Sequence, residues 1–217
     1  MKNDYIQLMQ QRPDLFTNVD EENAVNIITD REQIAKVEAQ TGKETGIIYS
    51  DEYIMLLRDA VIFPDNSVGT YIRIISAVEK GAVVVLILCR KRILLLQHFR
   101  HSLRRFSWEI PRGFGEKWLS SEQNAAKEIF EETGMKNIAL FYLGTVCADT
   151  GLSAGLADIY IAETDEDVRF VNNDDREGIA DYRLVTAEQF AEMALCGEIC
   201  DGYSLSAVAL AQFKGKL

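Results

Sequence analysis

Apolar residues change their spacing several times along the chain, and each change predicts an element. Residues 1–20 are polar with little periodicity and predict a short helix or a loose arm. Thr29 followed by Glu32 is a capping-box pair, and Ile34 and Val37 give the helix behind it an inward face up to Gly42. Three β-like runs come next, Gly46–Ser50, Tyr53–Phe63 and Thr70–Glu79, with Pro64-Asp65-Asn66-Ser67 as the turn between the last two. From Gly81 the pattern shifts. Ala82–Cys89 is apolar throughout, as in a strand covered on both faces. Basic residues 90–92 turn it, and Ile93–Phe99 returns as a second strand. Ala139–Cys147 and Leu156–Glu163 predict further strands around the loop Ala148–Gly155, and an acidic loop, Asn172–Gly178, follows. The end reads as two helices, Thr186–Cys196 and Ser204–Lys214. The expected class is α/β: a small α+β segment over residues 1–80, then a mixed sheet between helices over 81–217.

The stretch from Trp108 to Met135, WEIPRGFGEKWLSSEQNAAKEIFEETGM, carries the candidate chemistry. Ser120 with Gln123 is a capping box and Gly134 suits a left-handed C-cap, so a helix is predicted between them. On it Glu128, Glu131 and Glu132 stand at i, i+3 and i+4, which puts three carboxylates on one side, while Ala125, Ala126 and Ile129 are expected to pack inward. Such close like charges repel unless a cation lies among them, and a hard divalent ion prefers oxygen ligands. A solvated acidic face is the alternative. Ahead of the helix, Pro111-Arg112-Gly113 opens a glycine-containing loop where a phosphate-sized ligand could approach the backbone.

These residues resemble the signature of the Nudix hydrolases, Gly-x5-Glu-x7-Arg-Glu-apolar-x-Glu-Glu-x-Gly-apolar. Laid on this chain it begins at Gly113 and matches Glu128, Ile129, Glu131, Glu132, Gly134 and Met135, seven of nine defined positions. Leu119 stands where the first Glu is expected and Lys127 where the Arg is expected. The two departures read as one event, an apolar contact replacing an ion pair beneath the helix, with Glu116 as an alternative partner for Lys127. The resemblance implies an α/β/α sandwich. It also implies Glu128, Glu131 and Glu132 as ligands of Mg²⁺, or of Mn²⁺ in its place, assisted by the main-chain carbonyl of Arg112. One of these carboxylates or a loop acid, for which Glu177 is the candidate, would take the proton of the attacking water.

Gln97-His98-Phe99-Arg100, Glu109-Ile110-Pro111 and the tail GEICDGYSLSAVAL look like the ADP-ribose pyrophosphatase branch of that family. The branch implies hydrolysis of the diphosphate bond of a nucleoside diphosphate sugar to a nucleoside monophosphate and a sugar phosphate. It also implies a homodimer assembled through the N-terminal segment. Pro-Arg-Gly replaces the branch's usual Pro-Ala-Gly, and Thr150 lies near the place of its downstream proline. Arg100 and Arg112, beside Gly113, are candidates for phosphate contact, with a surface salt bridge as the alternative for Arg100. Glu109 binds a ribose hydroxyl or simply ends its strand. Trp108 and Trp118 stack on a base or pack in a core. The competing reading is a module of the same fold that binds a nucleotide sugar without cleaving it.

Composition narrows the partners. With 217 residues and 47% hydrophobic content the chain can bury a sizeable core. Its net charge of −11 argues against nonspecific nucleic-acid or anionic-membrane binding, though a local basic pocket can still take a small anion. Cys89, Cys147, Cys196 and Cys200 follow no zinc spacing and are expected reduced, and His98 and His101 are read as structural or surface residues. The N-terminal residues lack a signal-peptide core and the longest apolar run is too short to span a bilayer, so a cytoplasmic protein is expected.

Overall fold

Two compact units emerge in the computed structural model, which describes residues 2–77, 81–166 and 178–217. The first holds the N-terminal residues up to 77 together with Asp149–Gly155. Its elements are α1 (Lys2–Gln11), a 3-10 turn at Pro13–Phe16, β1 (Asn26–Ile27), α2 (Arg31–Thr41), β2 (Gly46–Ser50), β3 (Ile54–Ile62) and β4 (Val68–Ser76). Helix α2 starts one residue later than Thr29 would start it. Asp30 is the N-cap, accepting from Gln33 N at 2.9 Å, because a carboxylate both caps the first turn and faces the positive end of the helix dipole. Gly42, at φ 67°, ends it.

Strand β4 pairs along the full length of β3, so β1 and β2 share its other edge, β1 at Val61–Ile62 and β2 at Met55–Arg58. The outer edge of β4 is met by the Asp149–Gly155 segment: Ile74 N donates to Leu152 O at 2.7 Å and Ala154 N to Ile74 O at 2.9 Å. Tyr5, Leu8, Phe16, Leu57 and Ile75 form the core beneath α1. Among them lies a charged group, Asp59, which accepts from the Tyr5 hydroxyl and from Arg73 Nε at 2.6 Å. Arg73 also donates to Leu15 O at 2.7 Å and stacks on Phe16. Burial, reinforced by Asp59, pushes the Tyr5 hydroxyl pKa up, so it stays a donor.

The second unit contains β5 (Ala82–Cys89), β6 (Arg92–Arg100), β7 (Arg105–Glu109), β8 (Arg112–Gly113), α3 (Ser121–Thr133), β9 (Leu140–Cys147), β10 (Leu156–Thr164), β11 (Ile179–Val185), α4 (Ala187–Leu195) and α5 (Gly202–Phe213). The sheet runs β11-β6-β5-β10-β9, with β10 parallel to β5 and the other neighbours antiparallel. Alternate residues of β5 explain its continuous apolarity. Val83, Val85 and Ile87 face Ala125 and Ile129 of α3, while Val84, Leu86 and Leu88 face Phe190 and Met193 of α4 and Ala207 and Val208 of α5. The unit is the expected α/β/α sandwich. Ala126, expected inward, is exposed, since it lies roughly 100° round the helix from buried Ala125.

Strands β5 and β6 pair only beside their turn, at Leu88–Cys89 with Arg92–Ile93. Further along they splay. β7 takes the vacated edge of β6 and β8 that of β5, so Arg105–Gly113 is wedged into the middle of the sheet. The strand that Glu109 was expected to end is β7, while β8 and β11, whose outward residues are largely exposed, were not expected from periodicity. No helix of the described residues is long and apolar enough to cross a membrane.

The Asp59 network yields a test. Asp59→Ala would leave the buried ends of Tyr5 and Arg73 without their acceptor, and the expected loss is about 3 kcal/mol in urea unfolding. A loss typical of a surface substitution, within about 0.5 kcal/mol, would show that the network does not hold the first unit together.

Candidate active site

The wedge brings Glu109, at the end of β7, into the core with only 2% of its surface exposed. A carboxylate there needs cations. Arg100 supplies two hydrogen bonds, one from Nε at 2.8 Å and one from its terminal nitrogen, and His98 Nδ1 lies 3.1 Å away. Arg112 approaches to 3.9 Å. Burial opposes the charge on Glu109, but His98, Arg100 and Arg112 outweigh it and hold its carboxyl below the usual range.

Arg112 is paired with Val84 and so projects to the α5 side of the sheet. Its guanidinium lies over the Tyr203 ring and 3.6 Å from Asp201, while its Nε is buried with no hydrogen-bond partner among the described residues. Asp201 caps α5 by accepting from Ser204 N, and the Ser204 hydroxyl donates to Asp201 at 2.7 Å while accepting from Ile110 N at 2.9 Å. That chain ties the Pro-Arg-Gly segment to the helix. Burial raises the Tyr203 pKa, opposed by the charge of Arg112. Arg100, Arg112, Gly113, Phe114 and Tyr203 line a cleft of about 120 Å³ floored by Ala82 and Val84.

Gly113 faces the other way, toward α3. A Cβ built on it would come within 2.7 Å of the Glu128 Cδ, so any other residue here would push the Glu128 carboxylate from its present place against the backbone. The predicted caps of α3 are both present: Ser120 and Gln123 bond reciprocally, and Gly134 adopts φ 70°. Glu132, one turn beyond Glu128, is buried at 8% exposure, whereas Glu131 is exposed. Lys127 holds Glu131 at 2.6 Å and reaches Glu116 at 3.2 Å. Among the described residues no three acidic, His or Cys side chains meet around one point. Glu131 is turned to Lys127, and an exposed pair of that spacing is worth about 0.3–0.5 kcal/mol, little against the pull of a divalent ion. The donor set, three hard carboxylates on one turn with one of them pressed on a glycine backbone, fits Mg²⁺ or Mn²⁺.

The sequence-predicted residues thus divide. Arg100, Glu109 and Arg112 form one charged group on the α5 side, Glu128 meets Gly113 on the α3 side, and Gly113 joins the two. Glu177 lies outside the described residues. Trp108 is core, under Arg183, and Trp118 is 84% exposed. The sequence did not single out Tyr203, Asp201 and Ser204, although the tail that carries them stood out as a motif. His98 turns out to be a Glu109 partner.

A family model for the NUDIX domain matches residues 79–200. The chain is 27% identical over 138 residues to an ADP-ribose pyrophosphatase of Bacillus subtilis (strain 168), covering 63% of this chain and 75% of the relative. A crystal structure of an ADP compounds hydrolase superposes with a TM-score of 0.68 at 12% identity, over 93% of this chain and all of that one, a likeness of fold.

Glu109 gives the site a pH signature. Its folded pKa is lowered, so the stability from its ion pairs is present above the ordinary carboxylate value, about 4.3, and is lost as pH falls through the folded value. Glu109→Gln should lose about 3–5 kcal/mol at neutral pH and show a flatter stability profile than the parent in acid. Urea midpoints from neutral pH downward check this, and parallel profiles for the two proteins would refute it.

Proposed function

The chain belongs to the NUDIX domain family, and from that membership we propose that it is a pyrophosphohydrolase of nucleoside diphosphate derivatives. Its substrate on this reading is an ADP-ribose-like nucleoside diphosphate sugar, cleaved at the diphosphate into a nucleoside monophosphate and a sugar phosphate. The observation that carries the reading is the contact of Glu128 with Gly113 beside an arginine-lined cleft.

Glu128, Glu131 and Glu132 would hold Mg²⁺, with the carbonyl of Arg112, once Glu131 leaves Lys127. When bound, the ion neutralises the diphosphate and lowers the pKa of the attacking water. The chain's own part is to orient and to move the proton. Arg100 and Arg112 offer guanidinium donors to phosphate oxygens, and Glu109 keeps both in position. A carboxylate of α3, or Glu177, accepts the water proton. Gly113 leaves space beside its backbone for the Glu128 carboxylate.

The Lys127–Glu131 pair favours a second reading, a module that binds the nucleotide sugar without cleaving it, since it neutralises one of the three carboxylates. A panel of sugar nucleotides with and without Mg²⁺, followed by nucleoside monophosphate release, separates the two. Mg²⁺-dependent release from at least one member is expected, and binding without turnover would decide for the module. In the active protein, Glu132→Gln should lower kcat about 10²–10³-fold with the melting temperature unchanged or slightly raised as repulsion eases. Parental turnover at saturating Mg²⁺ would remove Glu132 from the ligand set.

We also infer a two-fold homodimer to which residues 46–80 contribute. The exposed apolar side chains Ile48, Tyr49, Ile54, Tyr71 and Ile72 in the first unit support this. Light scattering at micromolar concentration should give twice the chain mass, and a monomer there would end the proposal.

A further inference from the structure

Helix α3 has a second polar tie to the sheet, made by a hydroxyl at an unspecified position of the box and a carboxylate outside it. Ser121, the first residue of α3, donates to Asp158 Oδ2 of β10 at 2.6 Å. The other oxygen of Asp158 accepts from Thr145 Oγ1 of β9 at 2.6 Å, and Thr145 in turn lies 2.5 Å from the Tyr142 hydroxyl. Because Thr145 donates to Asp158, Tyr142 donates to Thr145, and the hydroxyls form one directed chain ending on the carboxylate.

The register of the sheet gives this chain its meaning. Gly113 is paired with Val83, Val83 with Asp158, and Asp158 with Thr145, so the four lie in one row across β8, β5, β10 and β9. Helix α3 touches the strands of this row and no others strongly. It meets the row at two points: the Ser121 hydroxyl donates to Asp158, and the Glu128 carboxylate lies close against Gly113. On the sheet these points are two strand spacings apart, roughly 9.6 Å. On the helix they are seven residues apart, a rise of roughly 10.5 Å. Seven residues is also nearly two full turns, so Ser121 and Glu128 present the same side. The two spans agree, and the helix therefore runs along the row, across the strands. Apolar packing of Ala125 and Ile129 holds α3 against the sheet, but apolar contact is non-directional and tolerates sliding along the row. A charge-assisted hydrogen bond does not.

We propose that Asp158 is a positioning residue: by holding the Ser121 hydroxyl it sets the register of α3, and so the seating of Glu128 on Gly113. The inference rests on the reading of α3 as the carrier of the metal-binding carboxylates. It adds residues that stand at none of the box's defined positions and outside the cleft.

The test uses the full chain with Ser121→Ala, Ser121→Thr, Asp158→Ala and the Ser121→Ala/Asp158→Ala double variant. Mn²⁺ affinity is measured by electron paramagnetic resonance, kcat and KM on ADP-ribose, and melting temperature alongside. Both single alanine variants should weaken Mn²⁺ binding and lower kcat about tenfold, the usual size of an outer-sphere effect, with KM held. The double variant should be no worse than either single one, and Ser121→Thr, which keeps the hydroxyl, should behave as the parent. Should Asp158→Ala not fold, Ser121→Ala against Ser121→Thr decides by itself, since alanine is well tolerated in a first helical turn. Turnover by the parent with unchanged Mn²⁺ affinity and kcat in Ser121→Ala overturns this inference and leaves the hydrolase reading standing. A parent that binds Mn²⁺ yet cleaves nothing overturns the hydrolase reading, and weaker Mn²⁺ binding in Ser121→Ala then still upholds the inference. A parent that binds no Mn²⁺ overturns both.

Discussion

A single buried carboxylate, Glu109, organises the second unit's chemistry. Its negative charge could not remain in the interior unaccompanied, and it draws Arg100, His98 and Arg112 around itself. The result is a locally cationic wall on a protein whose net charge is −11. Global charge and local potential are thereby uncoupled, which is what an acidic protein needs if it is to admit a diphosphate. The same carboxylate sits on the wedge that parts β5 from β6, so the element that opens the sheet also brings the positive charge into the opening.

The box departures can be understood beside this. Leu119 is half-buried ahead of α3, and Lys127 reaches both Glu116 and Glu131. A lysine has the length and flexibility to bridge two carboxylates and to let one go. Burial works against its charge, but Glu131 and Glu116 prevail and hold its pKa up, so it remains an ammonium throughout the neutral range. The loop before the helix keeps a second tie that owes nothing to charge, the bond from Glu116 N to Asn124 Oδ1 at 3.0 Å.

Helix α3 was legible in the sequence because its signals are local: Ser120 with Gln123 at one end, Gly134 at the other, and carboxylates at fixed spacing between them. Strand β5 was legible because burial on both faces leaves an unbroken apolar run. Strand β7 showed only its end, at Glu109, and β8 was not legible. Two residues cannot display a period, and Arg112–Gly113 becomes strand only because β5 and β6 part and leave their edges open. Strand β11 escaped notice because its exposed residues dilute the apolar signal. The partners of the site were hidden for a related reason. Ser204 meets Ile110, and Tyr203 meets Arg112, across more than ninety residues of chain. Such meetings follow from the register of the sheet and the docking of α5, not from any pattern within either segment.

One feature of the first unit reaches beyond the site. The outer edge of β4 is closed by Leu152 and Ala154, which arrive from the chain between β9 and β10. The path therefore leaves the first unit, builds three further strand pairings and the box helix, and returns to finish it. A fragment ending near residue 77 would contain every helix of that unit and every strand of its sheet, yet it would present the amides and carbonyls of β4 bare to solvent. An exposed apolar edge of that kind templates intermolecular pairing. During synthesis the first unit thus remains unfinished until the ribosome has passed residue 155, and the interval in which it is prone to aggregation is set by the part of the second unit that precedes Asp149.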